Sequence, residues 1–462
     1  MTQFYIYTMR KLIFIGALLC IIAKSHAQQA RTDTTYNYTV QDCINYAYAH
    51  QDSVVNAGLD IKSAEYKIKE TIGQGLPQVS GAISFQDYIQ PPATVGPSFT
   101  GLLNGQIDPN APLVKYPFGA VKYTNTFAAN ATQLLFSGTY IVGLQAVKTF
   151  KELSQRNLIR TRIETNVNVT KAYYQVLVSN EQIKLLDANI SQLKQQLDQT
   201  TQQNKQGFVE KIDVDRLDVQ YSNLVTSREN TVRSLTLNYQ MLKFQMGMPI
   251  NQQLVLKDKL DDVNMDAQAV DSTLDTAVYR NRIEYNLLET NIHLNQLNLK
   301  SKKSEYLPTF TASGSYGGTY EENQFRYLYD HLYPSSYVGV NLSIPIFSGF
   351  QRSNQVKELE ITVLKSQNDL YDAKNALSLQ LSMANITFFN SLKSLNTQKR
   401  SRELAEEVLH VSKVKYQQGV GSSLEVTQAE TDYESADNQY IQALYNVLIS
   451  KVDLDKAYGR IK

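Results

Sequence analysis

Two hydrophobic periods take turns along this chain. Val79, Gly81, Ile83 and Phe85 alternate with Gln78, Ser80, Ala82, Ser84 and Gln86. A period of two predicts a strand with one apolar and one small polar face. The same period returns over Phe310, Ala312, Gly314 and Tyr316, and again over Val338, Val340, Leu342 and Ile344. Tyr123 to Phe136 predicts a further strand, with Phe127, Ala129 and Ala131 on one side. Between these lie stretches of helical period. Thr39 to Thr71 carries Val40, Ile44, Ala47, Tyr48, Ile61, Ala64 and Ile68 on one face. Tyr140 to Asn204 is free of Pro and holds Ile183, Leu186, Ile190, Leu193 and Leu197 at heptad spacing. Helical pattern resumes after Gly207 and runs to about Gly247, with Leu235, Tyr239, Leu242 and Met246 on its seam.

The second half repeats the plan. Ser272 to Glu305 predicts a helix, and a loop is expected over 319–336. A run without Pro or Gly reaches Gln418, Gly419-Val420-Gly421 breaks it, and a last helix is predicted from Ser423 to about Tyr458. Leu76-Pro77 is echoed by Leu307-Pro308, 231 positions on; Phe136-Ser137-Gly138 by Phe347-Ser348-Gly349, 211 on; and Gly207 by Gly419, 212 on. Self-similarity at a fixed offset is the mark of a tandem repeat. The change of offset places about 20 extra residues in the loop over 91–122, which holds six of the eleven prolines. The expected segments are therefore a leader over 1–27, a first repeat over 28–249, a polar linker over 250–271 and a second repeat over 272–462. Gln28 to Tyr38 is expected to be loose.

The leader is read from Arg10 and Lys11, the apolar stretch Leu12 to Ala23, and Ser25-His26-Ala27 as a cleavage site. Its removal leaves 42 basic against 44 acidic residues. That balance argues against a nucleic-acid partner. Cys43 then stands alone, so no internal disulfide is expected. No later apolar run is long enough for a membrane helix. A secreted chain of this kind is soluble, or it meets a membrane through strands.

Geometry narrows the choice. Each long helical run would extend roughly 100 Å at 1.5 Å per residue, which is a rod rather than a globular helix. Four strands of about 10 residues or more suit tilted crossings of an outer membrane. Four cannot close a barrel, and lipid does not tolerate an open edge, so several chains would share one. No catalytic, metal or cofactor site is predicted. His50, His293, His331 and His410 are scattered, and no His-Glu-x-x-His, Walker loop or Gly-x-Ser-x-Gly elbow occurs. Cys43 reads as core rather than as a nucleophile. A soluble coiled-coil adaptor or scaffold in the periplasm is the alternative.

The ordered motifs resemble the TolC-type outer-membrane efflux proteins. They are Leu76-Pro77, Leu135-Phe136-Ser137-Gly138, Lys205-Gln206-Gly207-Phe208 with Ile212-Asp213-Val214, Ile344-Pro345-Ile346-Phe347-Ser348-Gly349, and Tyr416-Gln417-Gln418-Gly419 with Leu424-Glu425-Val426. The resemblance implies a homotrimer, mixed α/β, with a twelve-stranded barrel in outer-membrane lipid continuing into an α-helical periplasmic tunnel. It implies a passive exit duct for efflux or type I secretion, docked on a periplasmic adaptor and an inner-membrane pump. On this resemblance Gly207 and Gly419 turn the helices at the tunnel tip, Asp213 and Tyr416 link helices there, and Glu425 forms an acidic ring. The family's second acidic position falls on Gln428 and its gate arginine on Gly421. The two Phe-Ser-Gly copies mark strand-to-helix junctions at the membrane rim.

Overall fold

The computed structural model describes residues 36–96, 114–116, 121–260 and 278–461. The leader, most of the Pro-rich loop and the later part of the linker lie outside the described residues. In chain order the elements are β1 (Tyr36–Tyr38), α1 (Val40–His50), α2 (Asp52–Gln74), β2 (Gln78–Asp87), β3 (Thr94–Gly96), β4 (Val114–Tyr116), β5 (Tyr123–Phe136), α3 (Gly138–Lys205), α4 (Lys211–Met246), β6 (Leu254–Leu256), α5 (Ile283–Ser304), β7 (Thr309–Glu322), β8 (Leu332–Ser343), α6 (Gln351–Gln417) and α7 (Ser423–Ala457).

Contacts divide the chain into two compact units. The first takes in the described residues within Met1–Gln51, Thr165–Gln268 and Asn390–Val452; the second, those within Asp52–Glu164, Ala269–Phe389 and Asp453–Lys462. Helices α3 and α6 contribute residues to both.

The second unit holds an antiparallel sheet in the order β2-β5-β7-β8. Its register stacks Val79, Ala131, Gly314 and Val338 in one row, and Ile83, Phe127, Gly318 and Pro334 in another. This face is apolar and bare: Ile83 is 81% exposed and Val338 91%. The opposite face stacks Ser80, Asn130, Ser315 and Tyr337, then Ser84, Thr126, Thr319 and Tyr333. The Thr126 and Thr319 hydroxyls lie 3.2 Å apart there. Side chains alternate across a strand, so one pattern of apolar and hydroxyl residues makes both surfaces. Among the described residues, β2 and β8 each have a neighbour on one side only.

The first unit is built on helices. Thr39 caps α1 through a reciprocal box with Asp42, which the residue types favour. Cys43, Ala47, Tyr173, Val176, Leu242 and Met246 are fully enclosed or nearly so, and burial pushes the Cys43 thiol up to about 12. The thiol is core, as its place on an apolar helix face suggested.

Several expectations need correction. The helix over 39–71 is two helices, because the chain leaves helical geometry at Gln51 (ψ 122°). Tyr36 to Tyr38 is not loose: it pairs in parallel with Leu254–Leu256, inside the segment read as a linker. That segment is also pinned at Asp258, which accepts hydrogen bonds from Tyr173 Oη at 2.8 Å and Val40 N at 2.9 Å. Half of the loop over 319–336 is sheet, since β7 runs to Glu322 and β8 starts at Leu332. Within β7, a Cβ on Gly317 would run into Phe127 O and one on Gly318 would press on Leu332, so glycine lets the neighbouring strands approach closely here. Of the helix expected over 272–305, residues 272–277 lie outside the described residues, Val278–Asn281 form a 3-10 turn, and the α-helix starts at Ile283.

Candidate functional site: two helical turns and two strand ends

The predicted tip lies in the first unit. Helix α3 ends at Lys205 because Gly207 takes φ +83°, a left-handed conformation that costs a residue with a Cβ. Gly207 N donates to Asn204 O at 2.9 Å, Phe208 N to Gln203 O at 2.9 Å, and Asn204 Nδ2 to Val209 O at 2.8 Å. These bonds satisfy the carbonyls that a helix end leaves open. The second turn is alike: Gly419 has φ +74°, and Val420 N donates to Lys415 O at 3.0 Å. Phe208 and Val420, each directly after its glycine, are 78% and 79% exposed. The sequence carried that signal as an apolar residue beside a helix breaker.

The turns differ in how the next helix begins. Glu210 precedes α4 without a side-chain cap. Ser422 precedes α7 and its Oγ accepts from Glu425 N at 3.2 Å. Asp213 sits in the first turn of α4, where a carboxylate is favoured by the helix dipole. Its carboxylate is 3.8 Å from Arg216. Tyr416 is brought near it: burial raises the Tyr416 phenol above its ordinary value, and the Asp213 charge adds to the rise. Glu425 is exposed in the first turn of α7. Gln428 donates from Nε2 to Asp432 Oδ1 at 2.9 Å. Glu425, Gln428 and Asp432 follow one another at helical spacing, all exposed, so an acid stands one turn beyond Gln428. Gly421 is tightly placed: a Cβ there would come 3.0 Å from Tyr416 N. An arginine here would have to push the Lys415–Tyr416 backbone aside by a few tenths of an ångström.

Behind the tip the two hairpins pack in different ways. Between α3 and α4, Leu186, Leu193, Leu197, Leu217 and Leu224 form one buried cluster, with Ile190, Val214 and Tyr221 against it. Between α6 and α7, ion pairs do part of this work. Lys413 Nζ lies 3.0 Å from Glu430 Oε1 and Arg402 Nε 2.7 Å from Asp437 Oδ1. The heptad seam made the first hairpin legible. The ion pairs were missed, although Arg402 and Asp437 lie 17 and 18 positions from Gly419 on either side, as an antiparallel hairpin requires. Gln220 Nε2 donates from α4 to Thr427 O on α7 at 3.3 Å, which ties the hairpins together.

The predicted junctions lie in the second unit, and the two copies do different things. Ser137 is buried; its Oγ accepts from Tyr140 N at 3.3 Å and lies 2.8 Å from Thr139 Oγ1. Helix α3 therefore starts at Gly138, directly after the strand. A Cβ on Gly138 would meet Leu307 at 2.8 Å and Ser304 at 3.0 Å. Phe136 pairs with Phe310 across the sheet. In the second copy Ser348 is followed by Gly349 at φ +60° and Phe350 at φ +61°, and α6 starts only at Gln351. Nothing lies within 4 Å of a Cβ on Gly349. Phe347 and Phe350 meet edge to face at 5.5 Å and stay exposed. A left-handed Phe is costly backbone.

Among the described residues no group of three or more His, Cys, Asp or Glu could hold a metal ion. No helix among them is long and apolar enough to cross a membrane.

Comparison with known proteins agrees with this geometry. The chain is 21% identical over 339 residues to outer membrane protein TolC of Vibrio cholerae, covering 72% of this chain and 76% of that one. It is 21% identical over 324 residues to the proteases secretion protein PrtF of Dickeya chrysanthemi, covering 69% and 67%. Its fold matches the solved structure of CusC with a TM-score of 0.74 at 14% identity, over 94% of this chain and 95% of that one. The family model for outer membrane efflux proteins matches residues 43–234 and 286–460. That match takes in the four strands of the antiparallel sheet, both glycine turns and both Phe-Ser-Gly junctions, and the chain belongs to the outer membrane efflux protein family.

Proposed function

We propose that three copies of this chain form one passive duct through the outer membrane. The chain is an outer-membrane exit channel, its sheet in lipid and its helices in the periplasm, serving efflux or type I secretion. The observation that carries the assembly is the sheet. It has a bare apolar face, a hydroxyl-lined face, and outer edges of β2 and β8 that nothing in the described chain covers. An edge left open in lipid is costly, so other copies close it. Three copies give twelve strands, wide enough to conduct, whereas eight would be filled by side chains.

The recurring order of helix, two strands, long helix and shorter helix supports a tandem repeat over 28–249 and 272–462. Gly207 and Gly419 then turn the helices at the periplasmic tip. Asp213 beside Tyr416 closes that tip, and Glu425 with Asp432 lines its mouth with negative charge, which favours cations. The bare Phe208 and Val420 present apolar contacts to a periplasmic adaptor, and an inner-membrane pump supplies the energy. No step of catalysis is assigned to the chain. Phe136-Ser137-Gly138 and Phe347-Ser348-Gly349 lie at the periplasmic rim of the barrel.

Two measurements test this. Detergent-extracted protein should run as a trimer and insert conducting pores into planar bilayers; a water-soluble monomer would favour the scaffold alternative. The double variant Asp213→Asn, Tyr416→Phe should raise conductance, and an unchanged value would remove these residues from the closure.

A further inference from the structure

A cavity of about 40 Å³ lies within the first unit, where all four helices of the two hairpins meet. Its walls are unequal. Helices α3 and α4 contribute uncharged groups, among them Asn189, Gln192, Leu193, Gln220 and Leu224. Helix α6 contributes Leu409 and Lys413, and α7 contributes Glu430, Tyr433 and Glu434. Charge therefore faces the cavity from the second hairpin alone.

That charge is incompletely compensated. Glu430 meets Lys413 through Oε1, but its Oε2 is buried without a hydrogen-bond partner in the protein. Gln220 Oε1 and Thr427 Oγ1 are buried in the same condition, and neither amide oxygen nor ionised carboxylate can donate a proton to the other. The next layer repeats the defect. Arg402 Nε and Asp437 Oδ1 are in ion-pair contact yet out of hydrogen-bond alignment. Glu406 on α6 and Glu434 on α7 add negative charge around Asp437. A half-satisfied buried network costs more than a satisfied one. A proton on Glu430 would turn one orphan acceptor into a donor, on a cavity whose wall also carries the unpaired Gln220 amide oxygen.

We propose that Glu430 and Asp437 form a proton-operated latch: ionised, they load the packed arrangement of α7 against α6 and α4; protonated, they let it close tightly. The direction agrees with their titration. Burial raises Glu430, Asp437 and Glu434 above the ordinary carboxylate range, although Lys413 and Arg402 oppose the rise for the first two. A group with a higher pKa packed than unpacked takes up a proton on packing. Packing is therefore strengthened as pH falls from neutral through the raised values. The gain is complete only below the ordinary values of 4.5 for Glu430 and 3.8 for Asp437. Neutral pH favours an open tip and acid a closed one.

The inference rests on the reading of the chain as a tip-gated pore, and one experiment separates the two. Pores of the full mature chain are recorded in planar bilayers at pH 7.5 and 5.5. Absence of any pore defeats the channel reading itself. Given pores, the open fraction should fall several-fold at pH 5.5. Glu430→Gln and Asp437→Asn should already be low at pH 7.5 and respond weakly to acid. Lys413→Met removes the cation that holds Glu430 ionised, so it should move the transition to higher pH. If a variant does not assemble, the wild-type melting temperature still decides: it should rise from pH 7.5 to 5.5. A flat wild-type response overturns the latch. So does a response that survives in Glu430→Gln and Asp437→Asn but vanishes in Glu425→Gln with Asp432→Asn, because exposed mouth acids would then carry it. Reversal potentials distinguish that case, since mouth acids alter cation selectivity.

Discussion

The two hairpins of the first unit share a length, a glycine turn and a family motif, yet they are held together by different physics. The first is closed by leucines. The second places Lys413–Glu430 and Arg402–Asp437 where the first has apolar contact. A leucine seam is insensitive to pH and salt and has no competing hydrated state. A buried ion pair has one, because water solvates both charges if the helices part. The difference makes the first hairpin the fixed partner and the second the one that conditions can move.

The comparison can be broken in graded steps. The largest effect should come from Leu217→Ala in the first seam. Leu217 is 3% exposed, and truncating such a leucine costs roughly 3–4 kcal/mol. Chemical denaturation followed by circular dichroism would measure it. A value under about 1 kcal/mol would mean the seam is not packed as described. Next is Asp437→Ala, which, unlike the isosteric Asp437→Asn, also removes the oxygen atoms that Arg402 lies against and should cost about 3 kcal/mol. Replacing both partners, with Arg402→Met and Asp437→Leu, should recover most of that loss and give a second hairpin that behaves like the first. If the double variant is as unstable as the single one, the pair does more than fix the register.

Smaller effects sharpen the contrast. Gly207→Ala and Gly419→Ala should each cost roughly 1–2 kcal/mol, because both adopt positive φ in open space. Equal costs would locate the difference between hairpins in the helices rather than in the turns. The smallest change is expected from Arg228→Ala. Arg228 pairs with Asp187 across the first hairpin, but both side chains are at least 40% exposed, so the loss should stay below about 1 kcal/mol. The same chemistry buried at Arg402 and exposed at Arg228 would then differ through solvation alone.

Much of the fold was legible. The boundaries of β5 and of α7 nearly coincide with the pattern, since a change of period between two and 3.6 residues is a sharp signal. Helix α3 was readable from its freedom from Pro and its heptad leucines. The errors fell where a pairing partner lies far along the chain. Tyr36–Tyr38 gains strand geometry only from Leu254–Leu256, and local polarity carries no trace of that. The reach of β7 to Glu322 depends on facing β5 and β8 across Gly317-Gly318. At the candidate tip, the two turn glycines were accessible from motifs. The Asp432 that follows Gln428, the Ser422 cap and the buried pairs were not singled out, because which helix face is covered is a tertiary fact.

The Phe-Ser-Gly copies divide the two kinds of information most clearly. The sequence by itself determined that strand gives way to long helix near both places, because the hydrophobic period changes there, although β8 already ends at Ser343, four residues before Phe347. Only the tertiary structure decided why each glycine is needed. Gly138 lies against Leu307 and Ser304, which a Cβ would crowd. Gly349 has open space and is needed for its backbone angle instead. Identical residues meet different neighbours, and the physical reason lies in those neighbours: close packing at one junction, a left-handed turn into solvent at the other.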